Sequence, residues 1–254
     1  MNDLYIRRIF LDGPLSESGY LEKLPLVKNL LRQGGIDFTQ RVTFFVGENG
    51  TGKSTLLEAL AVAWGFNPEG GSRNFAFSTA DSHSALCKNL RIWRGPVRPR
   101  DGFFLRAESF YNVASYIDEL DRAPGLSPKL IDSYGGRSLH GQSHGESFLS
   151  LVMNRFGGNG LYILDEPEAA LSPSRQMALL ARIVSLAEDG SQLLIATHSP
   201  ILLACPKAQI LELSAEGITT MPYEQTEHYQ LTKAFLNNPE RMLRYLLEDD
   251  PAKQ

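Results

Sequence analysis

The sequence holds only two cysteines, Cys87 and Cys205, far apart and outside any Cys-x-x-Cys or Cys/His ligand spacing. A disulfide framework and a zinc framework are thereby excluded, and a reducing compartment fits best. No uncharged apolar run reaches the roughly 18 residues that a membrane helix needs. Residues 1–8 (MNDLYIRR) lack the apolar h-region of a signal peptide. The expectation is a cytoplasmic protein with no direct membrane insertion, so that membrane contact would have to come through a partner. A large excess of charge is missing too: the net charge of -4 and pI near 5.8 exclude a surface built wholly for nucleic acid, and leave open a local basic patch. Repeats and long low-complexity tracts are likewise absent. What remains is 254 residues, 43% of them hydrophobic, enough for an ordinary core.

Arg41–Val46 (RVTFFV) is β-branched and aromatic and runs into a Gly-rich turn. The helix formers Lys53–Trp64 follow, stopped at Gly65, which predicts strand, loop, helix. Strand signals return at Leu161–Leu164 and Leu193–Ala196, with a helix between them whose Met177, Leu180, Ala181 and Val184 share one face. Alternating buried strands and helices predict an α/β fold with a mostly parallel sheet. The first forty residues read as an antiparallel β part. Residues 66–140, rich in Gly, Pro, Ser and Arg, read as an inserted helical or irregular subdomain with a short helix at Val113–Leu120. After Gly217 the chain reads helical, with a helix over Pro239–Glu248. The whole is taken as one domain, 1–254.

Gly47-Glu48-Asn49-Gly50-Thr51-Gly52-Lys53-Ser54 matches G-x-x-x-x-G-K-[ST], the Walker A loop, and lies between a predicted strand and a predicted helix. Such a loop curls its backbone N–H groups toward phosphates. Lys53 then neutralises the β and γ phosphates, and the Ser54 hydroxyl is offered to Mg²⁺. Leu161–Leu164 ends in Asp165-Glu166, the form of a Walker B element. Asp165 would hold Mg²⁺ and Glu166 would polarise the attacking water. Ala196-Thr197-His198-Ser199-Pro200 closes the next strand. A histidine there is either structural or a hydrogen-bond donor to the γ-phosphate, since α/β sheets bind ligands at the carboxyl ends of their strands.

Gln142-Ser143-His144-Gly145-Glu146-Ser147 precedes an apolar run and has two readings. It is a helix cap, with Ser143 and Glu146 in the S-x-x-E spacing, or a place to hold a phosphate at a helix N-terminus.

Together, Gly-x-Asn-Gly-x-Gly-Lys-Ser-Thr at 47–55, Leu-Asp-Glu-Pro at 164–167 and Thr-His-Ser at 197–199 resemble the ABC-type ATPases. That group contains transporter motor domains and the ATPase heads of chromosome-maintenance and DNA-repair proteins. The resemblance implies a P-loop NTPase core that binds and hydrolyses ATP with Mg²⁺, with Thr55 in the loop. By it, residues 142–146 stand where the family carries Leu-Ser-Gly-Gly-Gln, making Ser143, Gly145 and Glu146 nucleotide contacts. By it also, Ala170-Leu171-Ser172-Pro173 is similar to the D-loop and His198 to the switch histidine. The intervals from Ser143 to Asp165 and from Glu166 to His198 each have room for a helix and match the family's layout. Where the family has a Mg²⁺-contacting Gln, this chain has none between Gln40 and Gln142. Glu108 is the candidate replacement, the alternative being a surface pair with Arg106 or another base. Tyr20 is the candidate adenine-stacking aromatic.

The resemblance further implies a head-to-tail homodimer with each ATP held between one protomer's Walker A and the other's signature loop. The interval from Lys53 to Ser143 is too short for a coiled-coil arm, so a compact, armless ATPase is expected. Two other functions stay open: the motor subunit of a membrane transporter, and a nucleotide-gated module that binds nucleic acid or an effector such as a toxin or nuclease with little turnover. Arg91, Arg94, Arg98 and Arg100 around Trp93 could touch phosphates and stack a base, or form a solvated face.

Overall fold

A computed structural model describes residues 3–13, 19–72, 86–106, 115 and 144–248. In chain order the strands are β1 (Ile6–Leu11), β2 (Ile36–Asp37), β3 (Val42–Val46), β4 (Leu90–Arg94), β5 (Asp101–Arg106), β6 (Gly160–Asp165), β7 (Gln192–Ala196), β8 (Gln209–Leu213) and β9 (Ile218–Thr220). The helices are α1 (Tyr20–Lys23), α2 (Pro25–Gln33), α3 (Lys53–Trp64), α4 (Leu86–Asn89), α5 (His144–Arg155), α6 (Pro173–Glu188), α7 (Pro200–Leu203), α8 (Glu227–Asn237) and α9 (Pro239–Glu248). Among the described residues no helix is long and apolar enough to cross a membrane.

The central sheet has the order β5-β6-β7-β3-β8-β9. Its first five strands are parallel, and β9 joins antiparallel to β8. Every residue of β3, β6 and β7 is buried, as expected of strands covered on both faces. Successive side chains therefore enter different cores. Phe45, Ile163 and Leu194 join Leu56, Leu60 and the N-terminal residues on one face. Phe44, Leu164 and Ile195 join Phe148, Leu151, Leu179 and Ile183 on the other. Each such side chain contributes about 1.5–3 kcal/mol on burial.

The antiparallel part expected near the N-terminus is a three-stranded sheet, β2-β1-β4. Its third strand comes from the 66–140 stretch, which also supplies β5 to the central sheet. The helix expected over Val113–Leu120 lies outside the described residues apart from Ser115. Helices α3 and α9 have the ends read from the sequence. In α6 the stripe is shifted: Leu179, Ile183 and Leu186 are buried, Leu180 and Val184 of the expected face pack half-buried against the same core, and Met177 is 57% exposed. The two stripes overlap, and the sheet's own side chains set which residues are most deeply buried.

Buried amides on the central sheet, Gln192 and Gln209, bond to strands of the other sheet. Gln192, fully buried on β7, accepts from the Ile6 N–H at 2.9 Å and donates to the Ile6 carbonyl at 2.9 Å. A side chain thus imitates a neighbouring strand, answering backbone groups that burial would otherwise leave unpaired. Replacing Gln192 with Leu should cost about 1–3 kcal/mol, the penalty for an orphaned buried donor. Urea unfolding should show a lower midpoint at unchanged slope.

Candidate nucleotide site

The Walker A loop leaves β3 and enters α3 with positive φ at Gly47, Gly50 and Gly52. Gly47 (φ 137°) also passes so close to the next strand that a Cβ would lie 2.2 Å from the Leu213 carbonyl oxygen. Glycine is required there on both counts. The tip, Glu48, Asn49 and Gly50, is exposed; Thr51, Gly52 and Lys53 are buried, and Ser54 and Thr55 are half-buried. Thr51 Oγ1 donates to the Glu48 carbonyl at 2.9 Å. Lys53 Nζ curls back over the loop, donating to the carbonyls of Gly47 (2.7 Å) and Glu48 (3.0 Å). Burial pushes the Lys53 ammonium below its ordinary pKa, opposed by the negative field of Glu166, Asp165 and Glu168.

Parallel pairing brings the other elements alongside. Asp165 at the end of β6 pairs with Ala196 at the end of β7, and Ala196 pairs with Phe45 near the end of β3. Ser54 Oγ donates to Asp165 Oδ1 at 3.0 Å, joining the Walker A serine to the Walker B aspartate. Asp165 is 6% exposed. Its second oxygen lies 3.6 Å from Arg106 Nε, and Arg106 Nη1 bonds Glu58 at 2.8 Å. This Arg106–Glu58–Asp165 group was not foreseen. Its only sequence signal is a basic residue closing β5, the strand beside β6.

Glu166 adopts φ 50°, a left-handed conformation that costs a non-glycine residue about 1–2 kcal/mol. The turn is held by the Glu166 N–H on the Ala196 carbonyl at 3.0 Å. Its carboxylate is half-exposed, and Oε1 stands 3.8 Å from His198 Nε2. Two residues on, Glu168 is half-buried, and desolvation raises its pKa; it accepts the His198 backbone N–H at 2.6 Å. The other ring nitrogen of His198, Nδ1, meets His228 Nε2 at 2.9 Å. Sequence reading missed both Glu168 and His228.

Ser143 and Glu108 lie outside the described residues. Gly145, in the first turn of α5, touches the segment after Walker B: a Cβ there would sit 2.3 Å from the Ala170 carbonyl oxygen. Glu146 is exposed and pairs with Arg175 of α6 at 2.9 Å. Tyr20 is 64% exposed at the start of α1. Of the arginine group, Arg91 pairs with Asp12 at 3.0 Å and Arg94 lies 4.5 Å over the Trp64 ring.

Two family models match the chain: one described as "AAA domain", over residues 29–92, and one described as "AAA domain, putative AbiEii toxin, Type IV TA system", over residues 143–204. A ribose import ATP-binding protein of Yersinia pestis is 27% identical over 201 residues, covering 71% of this chain and 37% of that protein. A "Putative ABC transporter ATP-binding protein" of Streptomyces coelicolor is 31% identical over 183 residues, covering 68% of this chain and 31% of that protein. The chain thus spans about a third of the length of these curated relatives. A solved nucleotide-free ATP-binding cassette from an ABC transporter aligns at TM-score 0.49 and 18% identity, covering 93% of this chain and 97% of that one. The first model spans the Walker A loop and the second spans Gly145 through His198. Similar over two thirds of its length to an ABC transporter ATP-binding protein, this chain is an ABC ATPase-like P-loop NTPase.

Proposed function

We propose that the chain binds Mg-ATP and hydrolyses it as a cytoplasmic homodimer in which two nucleotides are shared between protomers, driving a conformational switch in a partner. The observation that carries this reading is the convergence of Lys53, the Ser54–Asp165 bond, Glu166 and His198 at the ends of three adjacent parallel strands. Loop N–H groups from Gly47 to Thr55 and the Lys53 ammonium bind the phosphates.

The oxygens of Ser54 and Asp165, 3.0 Å apart, suit a hard cation that keeps most of its waters and takes its remaining ligands from phosphate. Glu108 is proposed as a further ligand in place of the family's Gln. Magnesium, when bound, neutralises charge on the phosphoryl oxygens. Glu166 accepts the proton of the attacking water as its oxygen bonds to the γ-phosphorus. The bond from that phosphorus to the bridging oxygen breaks, leaving ADP and phosphate. His198 Nε2–H donates to a γ-phosphate oxygen, and Ser143, Gly145 and Glu146 of the partner protomer close the site.

The relatives' names favour a second reading, in which the chain is a motor subunit working on a membrane permease. The toxin-system description of one family model favours a third, a nucleotide-gated module with little turnover. Steady-state phosphate release separates the third from an ATPase, and the protein that copurifies with ATP-trapped material separates the first from the second.

Lys53→Ala should weaken ATP binding about 10- to 150-fold by calorimetry, the equivalent of losing charged hydrogen bonds worth about 1.5–3 kcal/mol; unchanged affinity would remove the Walker assignment. Glu166→Gln should keep ATP affinity, slow hydrolysis roughly 10²–10⁴-fold, and accumulate an ATP-bound dimer on size exclusion. A fully active, monomeric variant would reject that role.

Ser143→Arg should bind ATP yet not turn over. Mixed with Lys53→Ala protomers, it should form ATP-dependent heterodimers with one intact interface and partly restored activity. Absence of both rescue and dimers returns residues 142–147 to a simple helix cap.

A further inference from the structure

His228 lies far from every motif in the sequence, yet its ring touches His198. It sits in the first turn of α8, and the start of that helix is fixed independently of the nucleotide site. Thr226, fully buried, accepts the Tyr229 N–H at 3.3 Å as the helix cap and donates to the Tyr223 carbonyl at 2.7 Å. The Tyr223 hydroxyl in turn donates to the Pro200 carbonyl at 2.9 Å, two residues beyond His198. The two imidazoles stand 5.0 Å apart between centroids and inclined at 52°, with His198 Nδ1 and His228 Nε2 at 2.9 Å. The outer nitrogens, His198 Nε2 and His228 Nδ1, are buried and make no hydrogen bond among the described residues.

Two neutral imidazoles in contact through one nitrogen each share one proton, which leaves two arrangements. If His198 donates from Nδ1, its Nε2 is a bare lone pair pointing toward the Glu166 carboxylate at 3.8 Å, and it repels that group and any phosphate oxygen. If His228 donates from Nε2, His198 carries its proton on Nε2 and faces the same negative groups as a donor. Electrostatics selects the second. Burial holds His228 below the ordinary histidine pKa, which keeps it neutral and able to play this part.

We infer that His228 is a positioning residue for the phosphate-contacting histidine: by donating Nε2–H to His198 Nδ1, it fixes the tautomer and ring orientation that aim the His198 Nε2–H into the nucleotide site. The inference rests on the reading of His198 as the γ-phosphate contact. The Glu168 carboxylate holds the backbone of His198, and His228 holds its ring. A histidine's reactive nitrogen is set by the hydrogen bond its other nitrogen makes, the same logic that governs outer-shell partners at metal and catalytic sites.

The first test needs no variant. In the full chain labelled with ¹⁵N-histidine, long-range ¹H–¹⁵N correlation reports which nitrogen of each ring carries the proton, with His198→Gln and His228→Gln used for assignment. A proton on His198 Nε2 is expected; a proton on Nδ1 overturns the inference. The second test is kinetic. His228→Phe keeps the ring volume and removes the donor, so kcat should fall roughly 10- to 100-fold while ATP affinity by calorimetry stays within about twofold. His228→Gln, whose amide nitrogen can take the place of Nε2, should recover most of that loss, and a Gln variant as slow as Phe overturns the inference. Should the Phe variant fail to fold, the wild-type spectrum and the Gln variant still decide. His198→Ala separates the two levels. Full turnover in that variant removes the phosphate-contact reading itself; an inactive His198→Ala beside a fully active His228→Phe removes only the role of His228.

Discussion

Lateral hydrogen bonding between parallel strands is the constraint on which the site depends. A parallel register aligns the carboxyl ends of β3, β6 and β7, and whatever follows each strand must emerge on the same edge of the sheet. The glycine loop after β3 lies more than a hundred positions before the two acids that close β6 and the histidine after β7. They meet because Asp165, Ala196 and Phe45 are neighbours across the sheet. The hydrophobic faces make that register firm. Phe44 and Phe45 are both fully buried and enter opposite cores, so a slip of one residue would exchange them and disrupt both layers.

Electrostatics sets the next level. Asp165, Glu166 and Glu168 crowd one end of the sheet, and the buried cation Lys53 lies in their field. Arg106 adds a second positive charge beside Asp165, itself restrained by Glu58. Glu168 takes the His198 backbone N–H, so the carboxylates do not act alike: one holds the backbone at His198, one meets the Walker serine, and one remains half-exposed beside the histidine ring.

Much of this was legible because the signals are local. A β-branched run, a glycine spacing and a stop at Gly65 define β3, the loop and α3 without reference to the rest of the chain. Asp165, Glu166 and His198 could be read as strand-end residues for the same reason. What escaped depends on tertiary contact. Asp101–Arg106 begins and ends with charge and does not resemble a buried strand, yet it pairs with β6 and buries Phe103, Phe104 and Leu105. In α6 two apolar stripes overlap, and only the sheet beneath decides that Leu179, Ile183 and Leu186 are the most deeply buried and Met177 is left exposed. His228 gave no signal at all, because its partner lies thirty positions earlier, across a helix, two strands and a turn.

The Lys53 hydrogen bonds to the Gly47 and Glu48 carbonyls have a consequence for how a phosphate is received. The loop's three left-handed glycines curve the backbone that carries those carbonyls. Their loss of backbone freedom, about 1–2 kcal/mol for each residue fixed, falls within the cost of folding and is offset by the packing of β3 and α3 on either side. On the proposed reading, a phosphate would take the place of those carbonyl oxygens on Lys53, exchanging one set of hydrogen bonds for another.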